Sequence, residues 1–143
     1  MKDDPRRRDP AAYAWTLELA ARYGDMDANA HLNNVAIAQF FEEARVQFNW
    51  QSALLFAGTR PRFLAAHVGI DYLAEGRYPG GVMVKLAVSH IGASSFRMAM
   101  AAFQGTICMA LCDSVLVFRS ADGGPAAIPA ILRERLEAHR LKG

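Results

Sequence analysis

Residues 23–34 read YGDMDANAHLNN and gather most of the reactive groups of this chain into one short stretch. Two carboxylates, Asp25 and Asp27, stand two positions apart, and the imidazole of His31 follows four positions later. A carboxylate can take a proton from water or attack an electrophilic carbonyl carbon itself. In an extended segment the two Asp side chains would face the same side and could titrate as a coupled pair. An Asp in a turn can equally do no more than accept hydrogen bonds from backbone amides. His31 can join in proton transfer, or order the loop through a hydrogen bond. The His-x3-Asp spacing is not a zinc pattern and no second His is close, so no metal is expected.

These groups need a scaffold. Asn33 or Asn34 can cap a helix, and the spacing predicts one over 35–56. Ile37, Phe41, Ala44, Phe48 and Leu55 form an apolar stripe, while Val46, Trp50, Ala53 and Leu54 add apolar area on other faces. Gly58 and Pro61 end it. A helix that is apolar around most of its girth must be wrapped by other elements. Alternating patterns predict strands over 14–22, 63–73, 82–91, 96–103 and 106–118, separated by Gly- and Pro-rich breakers. Pro129 can open a short helix carrying Leu132 and Leu136 on one face. The connections between the later strands are too short for parallel crossovers. The expected class is α+β, one long helix against a curved antiparallel sheet.

The chain has 143 residues, of which 52% are hydrophobic and 21% charged. That fits one domain with a sizeable core and excludes disorder over most of the length. Residues 1–12 read as a flexible, polar arm, and 13–143 as the domain. A net charge of +2 gives no ground for expecting nucleic acid. No hydrophobic leader segment and no run of 18 apolar residues occurs, so a cytoplasmic protein without a membrane span is expected. The apolar middle of the chain hints at oligomerisation. Cys108 and Cys112 should share one face of a strand, too far apart to bridge. Ser94 and Ser95 lack a G-x-S-x-G context, and neither G-x-x-x-x-G-K-[ST] nor G-x-G-x-x-G occurs. His67, Asp71 and His90 read as strand residues without a chemical part.

The run RYGDMDANAHLNNVAIAQFFEEAR, residues 22–45, resembles the signature of hotdog-fold acyl-CoA thioesterases of the 4-hydroxybenzoyl-CoA thioesterase type. That pattern is approximately Asp-x-Asp-x-x-Gly-His-x-Asn-Asn, followed by an aromatic-rich helix ending Phe-Glu-x-Ala-Arg. Asp25, Asp27, His31, Asn33 and Asn34 match it, then Phe41, Glu42, Ala44 and Arg45. The resemblance implies a sheet wrapped around the helix, pairing of two subunits through the sheet, and active sites at that interface. A homodimer or homotetramer is expected.

It also implies thioester hydrolysis of an acyl-CoA, with Asp27 as base or nucleophile and Asp25 holding the loop. His31 could act near the sulfur or shape the site. Asn34 could bond the carbonyl or the attacking water, and Asn33 could hold the loop. An N–H of the first helical turn is a natural oxyanion donor. Tyr23 and Ile37 would line the substrate, and Arg60, Arg62, Arg77 and Lys85 could contact CoA phosphates. No cofactor is expected, since coenzyme A is part of the substrate. An acyl-carrier-protein thioesterase, and a hotdog hydratase or acyl-CoA-binding protein without hydrolytic activity, are the alternatives. Ala30 replaces the usual Gly, which implies a relaxed φ or a strained loop.

Overall fold

The computed structural model describes residues 1–52, 62–120 and 122–143. Its long helix α1 spans Asn34–Gln51. Asn33 caps it, its Oδ1 accepting the Ala36 N–H at 2.7 Å. Ile37, Phe41, Ala44 and Phe48 recur at helical spacing and are buried, while Glu42, Glu43, Val46 and Trp50 stay at the surface. The remainder of the helix expected to residue 56, with Gly58 and Pro61, lies outside the described residues.

Five strands form one antiparallel sheet in the order β1-β3-β4-β5-β2. They are β1 Trp15–Ala20, β2 Arg62–Tyr72, β3 Gly81–Ile91, β4 Ser95–Gln104 and β5 Ile107–Arg119. Strand period fixes what each face carries. Val82, Val84, Leu86 and Val88 of β3 and Met98 and Met100 of β4 point to the inner face and join the core with α1. A second helix, α2 Ala130–Glu137, adds buried Leu132 and Leu136 to the same core. This is the expected α+β arrangement. β1 and β2 are the sheet edges, and β2 leaves Leu64, Val68 and Tyr72 exposed.

The outer face is also apolar: Ala87, Ala99, Ala101, Phe103 and Leu111 are buried there. Their cover comes from the start of the chain. The residues read as a flexible arm form two short 3-10 turns, Pro5–Arg8 and Pro10–Ala12, and lay Ala12 and Tyr13 on this face. Arg7 anchors them. Its guanidinium donates to Asp113 Oδ1 at 2.6 Å, the Cys112 carbonyl at 3.0 Å, the Met100 carbonyl at 3.2 Å and the Tyr13 hydroxyl at 3.1 Å. The Tyr13 O–H donates in turn to the Arg7 carbonyl at 2.6 Å. A guanidinium can be buried when its fork of donors is matched this fully. Apart from Tyr13, those partners lie about a hundred residues away in sequence, which is why the composition of residues 1–12 reads as solvated.

One expectation about β5 is corrected. Phe103 pairs with Cys108 but Ala102 pairs with Ala110, so Met109 is an extra, bulged residue. The bulge shifts the alternation by one. Cys108 packs against the outer cluster and Cys112 against the inner one, and the two thiols do not share a face.

Candidate active site

The loop between β1 and α1 is tied at its base by Asp25. A 3-10 turn at Tyr23–Asp25 folds the chain back so that the Asp25 side chain is only 3% exposed. It accepts the Arg22 backbone N–H at 2.8 Å and the Arg22 guanidinium at 3.0 Å, while its own carbonyl accepts the Asn33 N–H at 2.9 Å. The Arg22 side chain holds the Asp25 carboxyl below its ordinary value of 3.8, against the opposing effect of burial. Asp25 thus closes the loop. The turn also breaks the extended alternation, so Asp25 points inward and Asp27 outward. They do not form the coupled pair that an extended segment would give.

Asp27 begins a second, tighter turn. Its N–H donates to the His31 carbonyl at 2.8 Å, and its carbonyl accepts the Ala30 N–H at 3.1 Å. Its Oδ1 accepts two backbone amides, Asn29 at 2.8 Å and His31 at 3.3 Å. Among the described residues Oδ2 has no hydrogen-bond partner. One oxygen therefore fixes the carboxylate and the other keeps its lone pairs. The turn needs a left-handed residue, and Ala30 takes it with φ 61°. That conformation costs a residue with a Cβ about 1 kcal/mol. The loop is strained where the resembled pattern has Gly.

The segment after β2 builds the opposite wall. Leu32 N–H donates to the Gly76 carbonyl at 2.9 Å. A Cβ on Gly76 would run into Met109 Sδ and the Leu32 side chain, both buried, so a larger residue here would force them to shift. His31 Nε2 lies 3.0 Å from Glu75 Oε2. The Tyr72 hydroxyl donates to the Asn34 carbonyl at 3.2 Å and pins the helix start to the sheet edge. Desolvation pushes the Tyr72 phenol up, which keeps it a neutral donor.

A cavity of ≈ 340 Å³ results, lined by Asp27, His31, Asn34, Ile37, Tyr72 and Glu75 among others. It brings together four of the sequence-predicted residues. Asn33 serves as the cap rather than as part of the wall. In the amides of Asn34 and Val35 it leaves donors at the helix start that no intrahelical carbonyl can take.

The other predicted residues lie elsewhere. Tyr23 is 75% exposed, packs edge-on to Tyr78 at 5.9 Å between ring centres, and does not line this cavity. Arg77 is clamped through its backbone to the Gln104 amide, with both bonds at 2.8 Å. Lys85 donates to Thr16 Oγ1 at 2.7 Å on the outer face of the β1–β3 ladder. Arg62 opens β2 opposite Arg119, and Arg60 lies outside the described residues. Tyr72 and Glu75 escaped the sequence reading. The signal available was their position at the end of a predicted strand, which antiparallel return brings to the helix start. Among the described residues no three His, Cys, Asp or Glu side chains are grouped to hold a metal ion. None of the described helices is long and apolar enough to cross a membrane.

Comparison with known proteins agrees with this fold. The chain matches the thioesterase-like superfamily over residues 21–136. No functionally curated protein matches it in sequence. Among solved structures, a thioesterase superfamily protein from Jannaschia sp. CCS1 is 28% identical, with a TM-score of 0.82 over 96% of this chain and 91% of that one. A predicted thioesterase from Bacillus stearothermophilus is 25% identical, with a TM-score of 0.81 over 90% and 98%. A thioesterase from Thermus thermophilus, solved with coenzyme A and Zn, is 28% identical, with a TM-score of 0.78 over 89% and 95%. The match spans the Asp27 loop, the long helix and the strands behind it, and the chain belongs to the thioesterase-like superfamily of hotdog-fold proteins.

Proposed function

We propose that the protein hydrolyses the thioester of an acyl-CoA to a free acid and CoA. One observation carries this reading. Asp27 stands at a cavity of ≈ 340 Å³ beside the start of a helix, with Oδ1 fixed by two amides and Oδ2 without a partner among the described residues. That arrangement can activate water or attack a carbonyl, and superfamily membership supplies the thioester. The coenzyme A found with the Thermus thioesterase supports CoA as the carrier.

Two routes fit. As a base, Asp27 takes a proton from water while the oxygen adds to the carbonyl carbon. The tetrahedral oxyanion then collapses, the C–S bond breaks, the thiolate takes a proton from His31, and His31 is restored by the proton held on Asp27. As a nucleophile, Oδ2 attacks directly, the CoA thiolate leaves, and water hydrolyses the mixed anhydride. In both, the amides of Asn34 and Val35 are suited to the oxyanion. His31, steadied by Glu75, is suited to protonate the sulfur. Activity should survive thorough chelation with EDTA. Loss that one divalent ion restores would replace this metal-free scheme.

The assembly reading also belongs here. The free edge of β2 with exposed Leu64, Val68 and Tyr72 suits pairing with a second copy, which would wall the cavity beside Tyr72. A dimer or tetramer should appear in sedimentation at micromolar protein, and a stable active monomer would refute it. The function itself is tested by thiol release from a panel of acyl-CoA and acyl-carrier-protein thioesters. CoA esters should turn over best. Hydrolysis of carrier-protein esters alone would transfer the activity to that substrate class.

A further inference from the structure

The outer face of the sheet is apolar, and the two ends of the chain cover it. Register sets its residues side by side. Ala87 of β3, Ala99 of β4 and Asp113 of β5 form one row, and Lys85, Ala101 and Leu111 form the next. The apolar members of both rows are buried, together with Phe103. Ala12 and Tyr13 lie over them, with Met1 and Leu141 packed alongside. The Lys142 N–H donates to the Ala12 carbonyl at 2.9 Å and ties the two ends together.

This cover is a built piece of structure. Residues 4–10 read DPRRRDP and make two turns of one design. Asp4 and Asp9 each accept a backbone N–H two residues on, from Arg6 at 3.0 Å and Ala11 at 2.9 Å, and each precedes a proline. Caps and prolines shape the segment before it docks. Its hold on the sheet is narrow. Among the described residues no ladder pairs residues 1–13 with a strand, and Arg7 supplies the anchor through Asp113, Met100 and Cys112. A segment held by side chains can open while the ladders beneath it stay intact.

The surface beneath suits a second copy of the chain. Its alanines make it flat, and sheets pack face to face through apolar surfaces of that kind. Lys85 on β3 and Asp113 on β5 flank the alanines of β4 from opposite sides. A two-fold axis running along β4 would lay the Lys85 side of one copy over the Asp113 side of the other, with opposite charges together. Beyond the cover the same face continues into an open cavity of ≈ 660 Å³, where Met83 and Phe103 line the wall. An apolar face left bare is an association surface. We propose that residues 1–13 are an intramolecular stopper, occupying the outer sheet face and keeping copies of this chain from stacking through it. The proposal is independent of the hydrolase reading and of pairing at the β2 edge.

Sedimentation over a range of micromolar concentrations tests it, with circular dichroism as the check on folding. The full chain should hold one mass. A chain lacking residues 2–13 should form a discrete species of about twice that mass, as one added two-fold contact gives. Ala99→Glu in the shortened chain puts a charge on the bare face and should return it to the full chain's mass. A second variant keeps the length: Arg7→Leu with Tyr13→Ser removes the anchor and the aromatic cover, and should populate the doubled species increasingly with concentration. A folded shortened chain or a folded double variant that keeps the full chain's mass would overturn the stopper. Association that Ala99→Glu does not prevent would overturn it too, since the contact would lie elsewhere. If neither variant folds, residues 1–13 are part of the core and the proposal falls.

Discussion

Arg7 and Asp27 are both charged residues held by backbone groups, and they are held in opposite ways. Arg7 is 5% exposed, and its donors go to two carbonyls, a carboxylate and a hydroxyl. Burial works against its charge, and Tyr13 with Asp113 more than offsets that, so the guanidinium stays charged. Asp27 is exposed, is gripped through one oxygen and lines a cavity. A charge whose every bond is spent inside the protein is structural. A charge fixed in place with capacity left over is available to a substrate.

The contrast breaks most visibly at Asp27. Asp27→Asn keeps the Oδ1 acceptor and removes the base, so kcat should fall by ~10²–10⁴-fold, or roughly 3–5.5 kcal/mol of barrier, with an unchanged melting curve. A folded Asp27→Asn protein with most of its turnover would reduce Asp27 to a turn residue. Arg7→Leu should do the reverse. It strands Asp113 and two carbonyls, and should lower unfolding free energy by roughly 2–4 kcal/mol in a urea titration. Turnover per folded molecule should be kept. An Arg7→Leu protein that melts like wild type would show that the cluster contributes little to folding.

Asp25 sharpens the comparison because it sits two residues from Asp27 and shares the manner of Arg7. Asp25→Asn should cost about 1–2 kcal/mol at neutral pH through the weakened bonds to Arg22. The folded carboxyl lies below 3.8, so its stabilisation is fully present above that value and fades as pH falls through the lower, folded one. Wild type and Asp25→Asn should therefore converge in melting temperature only below about pH 3.8. A gap that persists at lower pH would point to packing rather than charge.

Two smaller effects complete the series. Glu75 is 68% exposed, so its pairing with His31 is worth little in stability. Glu75→Gln should lower kcat by about two- to fivefold with KM nearly constant, because it steadies His31 without touching the carbonyl. A change confined to KM would make Glu75 a binding residue instead. Ala30→Gly relieves the left-handed strain at the expense of chain entropy, and should stabilise by up to about 1 kcal/mol. A destabilised Ala30→Gly protein would mean that the methyl group packs usefully.

The same contrast explains what could be read from sequence. The helix start was legible because Asn33 and the 37-41-44-48 spacing act over a few residues. The strands were legible from alternation, and the Asp27 loop from its dense polar run. The partners of Arg7 were not, since Met100, Cys112 and Asp113 reach it only after the sheet has formed. The wall made by Tyr72 and Glu75 was hidden for the same reason. Tyr23 stands four residues before Asp27 in sequence, yet behind the 3-10 turn it is exposed and does not line the cavity that Asp27 lines. Local rules place elements, and the turns between them decide direction.

The bulge at Met109 has a practical consequence. By sending Cys108 and Cys112 to opposite faces, it denies the folded chain any internal disulfide. Burial pushes both thiols up, Cys112 within the core and Cys108 at the half-covered outer face. A disulfide formed during storage must then join two molecules, through the more exposed thiol of Cys108. Ageing of a stock should be visible as a reducible double-mass band on a gel, and Cys108→Ser material should keep without a reductant.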